Sequence, residues 1–244
     1  VHGVGRDQVL DAVGIHPHHV FKIISESSIP FFSTATTRSA GPLAIVSKKV
    51  SSLSKLLSNS KVVAVGEVGI DRHYYQKTKH QDYKINEEFV ELQKIFLVEQ
   101  IKLANKYKKS LILHNREAKK DMLEILSNDE LRIADYRSVF HCCDPDPELL
   151  EFAKKNKMFI GVDGDITYYK EKQEFIKNVP LEMLVLETDS PFLNPEPLRK
   201  KEGGTNNEPK NIKVIVEFIA KLMNVSINQL INTTTENAER LFNI

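Results

Sequence analysis

At 244 residues, 41% of them hydrophobic and 27% charged, the chain has ordinary globular composition and reads as one α/β domain spanning residues 1–244. A formal net charge of +1 excludes a protein that coats nucleic acid through a broad basic surface, but not an enzyme that grips a few phosphates. There is no run of about 18 apolar residues and no charged-then-apolar leader, so neither a membrane span nor a signal peptide is expected. The cysteines, Cys142 and Cys143, are adjacent and poorly placed to pair with each other, which points to a reducing, cytoplasmic setting.

In chain order, the first strand-like run is Val9 to Ile15. A Ser- and Thr-rich stretch from Ser25 to Ser60, broken at Gly41-Pro42, reads as a long, partly helical connection. Val62 to Val65 is the second strand. The polar, Lys-rich loop after it carries His73 and His80, expected to be solvated. Glu87 to Tyr107 is a helix: Phe89, Leu92, Phe96 and Leu103 share a face, and Lys106, Lys108 and Lys109 sit near its negative C-terminal end. Strands come next at Leu111 to Leu113, Val139 to Phe140, Met158 to Val162 and Met183 to Leu186. Between them, Asp146 caps a helix over Glu148 to Asn156, with Pro147 at its first position. Near the C-terminus, Ser226 with Gln229 and Thr233 with Glu236 have capping-box spacing ahead of two short helices. Strand alternates with helix, so the sheet should be parallel.

The residues at the strand ends carry the chemistry. His16 comes directly after Ile15, His114 after Leu113 and His141 after Phe140; Glu67 and Asp189 stand just beyond Val65 and Leu186. Asp, Glu and His together are about one residue in six, so a metal-competent side chain after nearly every strand exceeds chance. In a parallel barrel the C-terminal strand ends share one mouth, so Glu67, His114, His141 and Asp189 are expected to converge, with Glu67 bridging two ions at roughly 2.0 to 2.3 Å. Mixed imidazole and carboxylate donors suit Zn, Mn or Fe, and Mg favours oxygen, so the metal stays open. Each residue also has a bland reading: Glu67 and Asp189 as turn or capping residues, each His as a hydrogen-bonded loop residue. Asp163 and Asp165 read as turn residues. Cys142 and Cys143, with no CxxC partner, read as packing rather than zinc thiolates.

At these residues the chain resembles the TatD family of metal-dependent deoxyribonucleases. The likeness runs through Val13-Gly14-Ile15-His16-Pro17-His18, Val65-Gly66-Glu67-Val68-Gly69-Ile70-Asp71, Gln93, Phe96, Gln100, and His114-Asn115-Arg116-Glu117-Ala118. It continues through His141, Leu186-Glu187-Thr188-Asp189-Ser190-Pro191, Arg199, Asn207-Glu208-Pro209, and Asn237-Ala238-Glu239-Arg240-Leu241-Phe242. The resemblance implies a (β/α)8 TIM-barrel fold that hydrolyses DNA, single-stranded in preference, with one or two divalent ions (Mg, Mn or Zn). Glu67 would bridge the ions, His114 and His141 would hold one, and Asp189 would bind the other and serve as base. His16 and Arg116 would approach the phosphate, and Arg199 with Lys200-Lys201 would form a basic flap or merely a solvated charge run. Hydrolysis of another ester or amide, such as D-aminoacyl-tRNA, or an inactive barrel that binds a partner, are the competing readings.

The family pattern also begins with a strand bearing a His-x-His pair, which this chain lacks; His2 precedes Gly3-Val4 and is no substitute. Six strands against eight imply an open barrel two β/α units short, with one competent metal position and weak or no nuclease activity unless those units are restored.

Overall fold

The structure is a computed structural model that describes residues 10–26, 41–76, 84–200 and 206–244. These fall into two compact units, the first within Asp7–Ala134 and the second within Asp135–Ile244. His2, His80 and the stretch Lys201 to Gly204 lie outside the described residues.

The first unit runs β1 (Asp11–Ala12), α1 (Pro17–Glu26), α2 (Gly41–Leu57), β2 (Val62–Asp71), α3 (Glu87–Tyr107), β3 (Ser110–Arg116) and α4 (Lys119–Leu126). Its strands pair in parallel, β1 with β2 and β2 with β3. The second unit runs β4 (Ser138–Phe140), α5 (Pro147–Lys155), β5 (Phe159–Val162), α6 (Lys170–Ile176), β6 (Leu184–Leu186), α7 (Ile212–Met223) and α8 (Ile227–Phe242). Here β5 pairs in parallel with both β4 and β6. The alternating α/β pattern expected from the sequence is therefore present, with six strands among the described residues. No single helix among them is long and apolar enough to cross a membrane.

α3 is the scaffold of the first unit. The Asn86 side chain accepts from Phe89 N at 2.8 Å, and Glu87 and Glu88 fill the first turn, where the helix dipole favours acidic groups. One face packs Phe89, Leu92 and Phe96 against Val20 of α1 and Val46 and Val50 of α2, with Leu103 partly buried beside them. The stripe read from the sequence is thus the core-facing stripe. The same helix buries two glutamines, Gln93 and Gln100. Gln100 Oε1 accepts from Ile15 N at 2.6 Å while its Nε2 donates to Ile15 O at 3.2 Å. Gln93 treats Asp71 in the same way, at 2.7 and 3.1 Å. Each amide satisfies one main-chain N–H and one carbonyl, beyond β1 at Ile15 and at the last residue of β2 at Asp71, which is also paired in register with Arg116 of β3. Gln100→Leu should cost about 1–3 kcal/mol for each Ile15 group left unpaired. Urea unfolding would measure this, and a loss below about 0.5 kcal/mol would refute the clamp.

β2 is longer than the apolar run that announced it. Between the pairs Val65↔Leu111 and Val68↔Leu113, β2 contains one more residue than β3, which is a bulge at Gly66-Glu67. Glu67 therefore sits within the strand and not past its end, and His114 likewise lies inside β3. Close packing of the strands explains the two glycines. A Cβ at Gly66 would come within 2.5 Å of Ile112 Cβ, and one at Gly69 within 1.8 Å of the His114 carbonyl oxygen.

In the second unit Asp146 Oδ1 accepts from Glu148 N at 2.8 Å and Leu149 N at 3.2 Å, opening α5 at Pro147 as expected. Ser226 caps α8 through Gln229 N. The second helix start expected at Thr233 is not there: α8 is continuous from Ile227 to Phe242. Leu230, Thr234, Asn237 and Leu241 form one buried stripe along it, and the Thr234 hydroxyl donates to Leu230 O at 2.8 Å within the running helix. Burying that stripe outweighs a local capping signal.

Candidate functional site

Gln100 fixes Ile15, and Pro17 opens α1, so His16 is held in the turn between these two points. His16 Nδ1 accepts a hydrogen bond from His18 N at 3.2 Å. An accepting Nδ1 carries no proton, so the neutral ring bears its hydrogen on Nε2, and that nitrogen lies 3.8 Å from Glu67 Oε2. Burial, reinforced by His114 and His18 nearby, lowers the His16 pKa to about 3. The ring is thus a neutral Nε2–H donor, suited to an anionic oxygen. Glu67 projects from the β2 bulge, and ligand atoms of His16, Glu67 and His114 all lie within 4.8 Å of one another.

Beneath them is Asp71, fully buried at the end of β2. His18 Nε2 and His114 Nε2 lie 3.0 and 3.1 Å from its Oδ2. The Tyr75 hydroxyl donates to the same oxygen at 2.9 Å, and His73 N donates to Oδ1 at 2.8 Å. Burial pushes this carboxyl upward, but the hydrogen bonds from His114 and His18 outweigh it and hold Asp71 well below the usual carboxylate range. Arg116, at the end of β3, donates from Nη1 to Tyr75 Oη at 2.9 Å. His73, expected to be solvated, is paired: its Nδ1 lies 2.5 Å from Glu117 Oε1.

The second unit holds His141 just past β4 and Asp189 just past β6. His141 Nδ1 contacts Glu187 Oε2, and Glu187 Oε1 accepts from Cys142 N at 2.6 Å. With Nδ1 committed, Nε2 is the nitrogen toward Asp189, 3.5 Å from Oδ1. Gly161 makes room for the Glu187 carboxylate, since a Cβ there would fall 2.3 Å from Glu187 Oε1. Asp189 has φ 49, the left-handed region that Asp tolerates better than most residues. The loop is pinned by the buried Asn207, whose Nδ2 donates to Thr188 O at 2.6 Å and Phe192 O at 2.7 Å. Cys142, His141 and Glu187 also offer three donor atoms within 4.8 Å. Burial, then the charges of Glu187 and Asp163, push the Cys142 thiol far up.

Asp163 and Asp165 do more than turn the chain. Asp163 is fully buried, and Lys172, almost as buried, places Nζ 3.3 Å from Asp163 Oδ2 and 2.8 Å from Asp165 Oδ2. Arg199 is exposed and stacks its guanidinium 3.9 Å from the Tyr168 ring centroid.

Within the first unit the structure therefore gathers His16, Glu67 and His114, with Arg116 tied in through Tyr75; within the second it gathers His141 and Asp189. Sequence reasoning gave no role to Asp71, Tyr75 or Glu187. An acid closing the buried run of β2 and another directly after β6 were the available signals.

The sequence profile of a family described as "TatD related DNase" matches residues 5–243. A Bacillus subtilis (strain 168) protein named "Uncharacterized metal-dependent hydrolase YabD" is 32% identical over 194 residues, 79% of this chain and 69% of that protein. A Mus musculus protein named "Putative deoxyribonuclease TATDN3" is 31% identical over 182 residues, 75% of this chain and 56% of that protein. Among solved structures, the TatD homolog YJJV from Escherichia coli k12 superposes with a TM-score of 0.70 at 25% identity, covering 96% of this chain and 77% of that one.

Proposed function

Because this chain belongs to the TatD-related DNase family, with the α/β barrel-type fold of that family, we propose that it is a metal-dependent hydrolase that cleaves DNA phosphodiester bonds, single-stranded DNA in preference. The observation that carries the reading is the pairing of each ligand histidine with a carboxylate. His114 Nε2 faces Asp71 and His141 Nδ1 faces Glu187, which orients one ring nitrogen of each for a cation. The donor set fits: Glu67 and His114 offer carboxylate and imidazole atoms within ligand-sharing distance of each other in the first unit, and His141 lies close to Asp189 in the second.

In this proposal Glu67, His114 and His141 would hold one divalent ion, whereas Glu67 and Asp189 would offer a second ion only two carboxylates, too few for tight binding. When bound, such an ion polarises a phosphoryl oxygen and acidifies water. Asp189 Oδ takes the proton of the attacking water. His16, neutral with its hydrogen on Nε2, donates to a non-bridging oxygen, a contact that costs no charge burial. Arg116 offers its guanidinium fork to the phosphate, its position fixed by the hydrogen bond to Tyr75. Arg199 contacts the strand farther along.

The test is cleavage of an end-labelled single-stranded oligonucleotide with Mg, Mn or Zn, run beside release of amino acid from D-aminoacyl-tRNA. Cleavage of the oligonucleotide that stops on adding chelator and returns with metal supports the proposal. Release from the tRNA alone, or cleavage indifferent to chelator, refutes it.

A further inference from the structure

Asp71 is fully buried, yet it is the most heavily engaged carboxylate among the described residues near the first-unit cluster. Its Oδ1 accepts from His73 N, and its Oδ2 receives the Tyr75 hydroxyl and faces His18 Nε2 and His114 Nε2, all between 2.8 and 3.1 Å. An ionised carboxylate has about four acceptor positions and no donor. The groups hydrogen-bonded to Asp71, namely His73 N, Tyr75 Oη and His114 Nε2, must therefore donate to it. An imidazole with its one hydrogen on Nε2 keeps its lone pair on Nδ1. Tyr75 extends the arrangement, since its oxygen, having given its hydrogen to Asp71, accepts from Arg116 Nη1 at 2.9 Å.

The main chain makes the arrangement stiff. Gln93 clamps both the N–H and the carbonyl of Asp71 from α3. Gly69 lets β2 lie directly against the His114 backbone, with which it is paired in register. Asp71 cannot move away from His114 without breaking the parallel ladder.

We propose that Asp71 is a positioning residue that sets the His114 tautomer, with the hydrogen on Nε2 and Nδ1 presented as the metal-binding atom, and that through Tyr75 it places Arg116 at the same site. This role rests on the metal-site proposal but names the atom that proposal leaves open. Asp71 itself touches neither ion nor substrate.

Replacing Asp71 by asparagine is informative because the acceptors cannot be kept. If the asparagine oxygen stays on His73 N, its amide hydrogens face three donors; if it flips, they face His73 N–H instead. The hold on His114 Nε2 is lost in the first case and weakened in the second, where a neutral amide oxygen replaces the carboxylate.

The experiment uses the whole chain, labelled with nitrogen-15 and free of added metal, followed across a pH series. The ring-nitrogen shifts of His114 are expected to report the Nε2–H tautomer. Zinc affinity, measured by competition with a chromophoric chelator, should fall about 10- to 100-fold in Asp71→Asn, whose His114 becomes a mixture of tautomers. Tyr75→Phe, which removes one donor and leaves the carboxylate, should keep both the tautomer and the affinity. A wild-type His114 carrying its hydrogen on Nδ1 overturns the proposal, as does an Asp71→Asn chain with unchanged tautomer and affinity. Should Asp71→Asn fail to fold, the wild-type spectrum decides alone. A wild type that binds no zinc yet shows the Nε2–H tautomer refutes the metal reading while supporting the role of Asp71, so the two failures are distinguishable.

Discussion

Asp189→Asn is expected to lower kcat for oligonucleotide hydrolysis roughly 1,000-fold, within the range for loss of a positioned base, while the Kd for a non-cleavable oligonucleotide stays within about threefold of wild type. The loop that presents Asp189 is pinned by Asn207 through Thr188 O and Phe192 O, and neither bond involves the Asp189 side chain. Asparagine also tolerates the left-handed backbone found here at φ 49. The substitution should therefore remove a charged ligand and base without unseating the loop. His16 and Arg116, held by the His18 backbone and Tyr75, would still grip phosphate. Binding and chemistry then separate, which is the signature of a group acting chiefly in the transition state. Near-normal turnover in saturating Mg or Mn would refute the role given to Asp189.

Lys172→Met should destabilise the chain by about 3–5 kcal/mol, the usual consequence of removing one member of a buried ion pair. Lys172 is 1% exposed and faces Asp163, which is fully buried, and Asp165. Methionine fills the volume of the aliphatic stem but leaves two carboxylates facing each other out of water. Burial raises the Asp165 carboxyl already, since one ammonium serves both acids. Without that ammonium, the folded-state pKa of at least one acid should rise well above its unfolded value near 3.9. A group raised in this way contributes stability that is full below the unfolded pKa and is lost as pH rises through the folded one. The deficit should thus be smallest near pH 4 and largest at neutral pH. Denaturant melts of wild type and variant across that range measure it; a deficit independent of pH would refute the assignment.

Features written in neighbouring residues were legible in the sequence. The apolar stripe of α3, the Asp146 and Ser226 caps, and His141 directly after β4 needed only local spacing. The features that were not legible depend on partners far along the chain. β2 seemed to stop at Val65 because Gly66 interrupts its apolar run, whereas that glycine is there to pass Ile112. Asp71 and His114 are 43 residues apart, and His141 and Glu187 are 46 apart, so no period or motif spacing could join them. Lys172 lies in the polar run Lys170-Glu171-Lys172-Gln173, which names no partner for it; only the fold shows its ammonium against two acids. Thr233 shows the reverse error, a correct local signal overridden by a longer buried face.

The central claim is that Glu67, His114, His141 and Asp189 serve one catalytic metal site. The most direct measurement is anomalous diffraction from crystals of the whole chain grown with Mn. The account predicts a strong Mn peak coordinated jointly by Glu67, His114 and His141, with any second peak between Glu67 and Asp189. Manganese bound to His16, Glu67 and His114 alone, or to His141 and Asp189 without Glu67, would contradict it, as would crystals in which none of the four residues touches the ion.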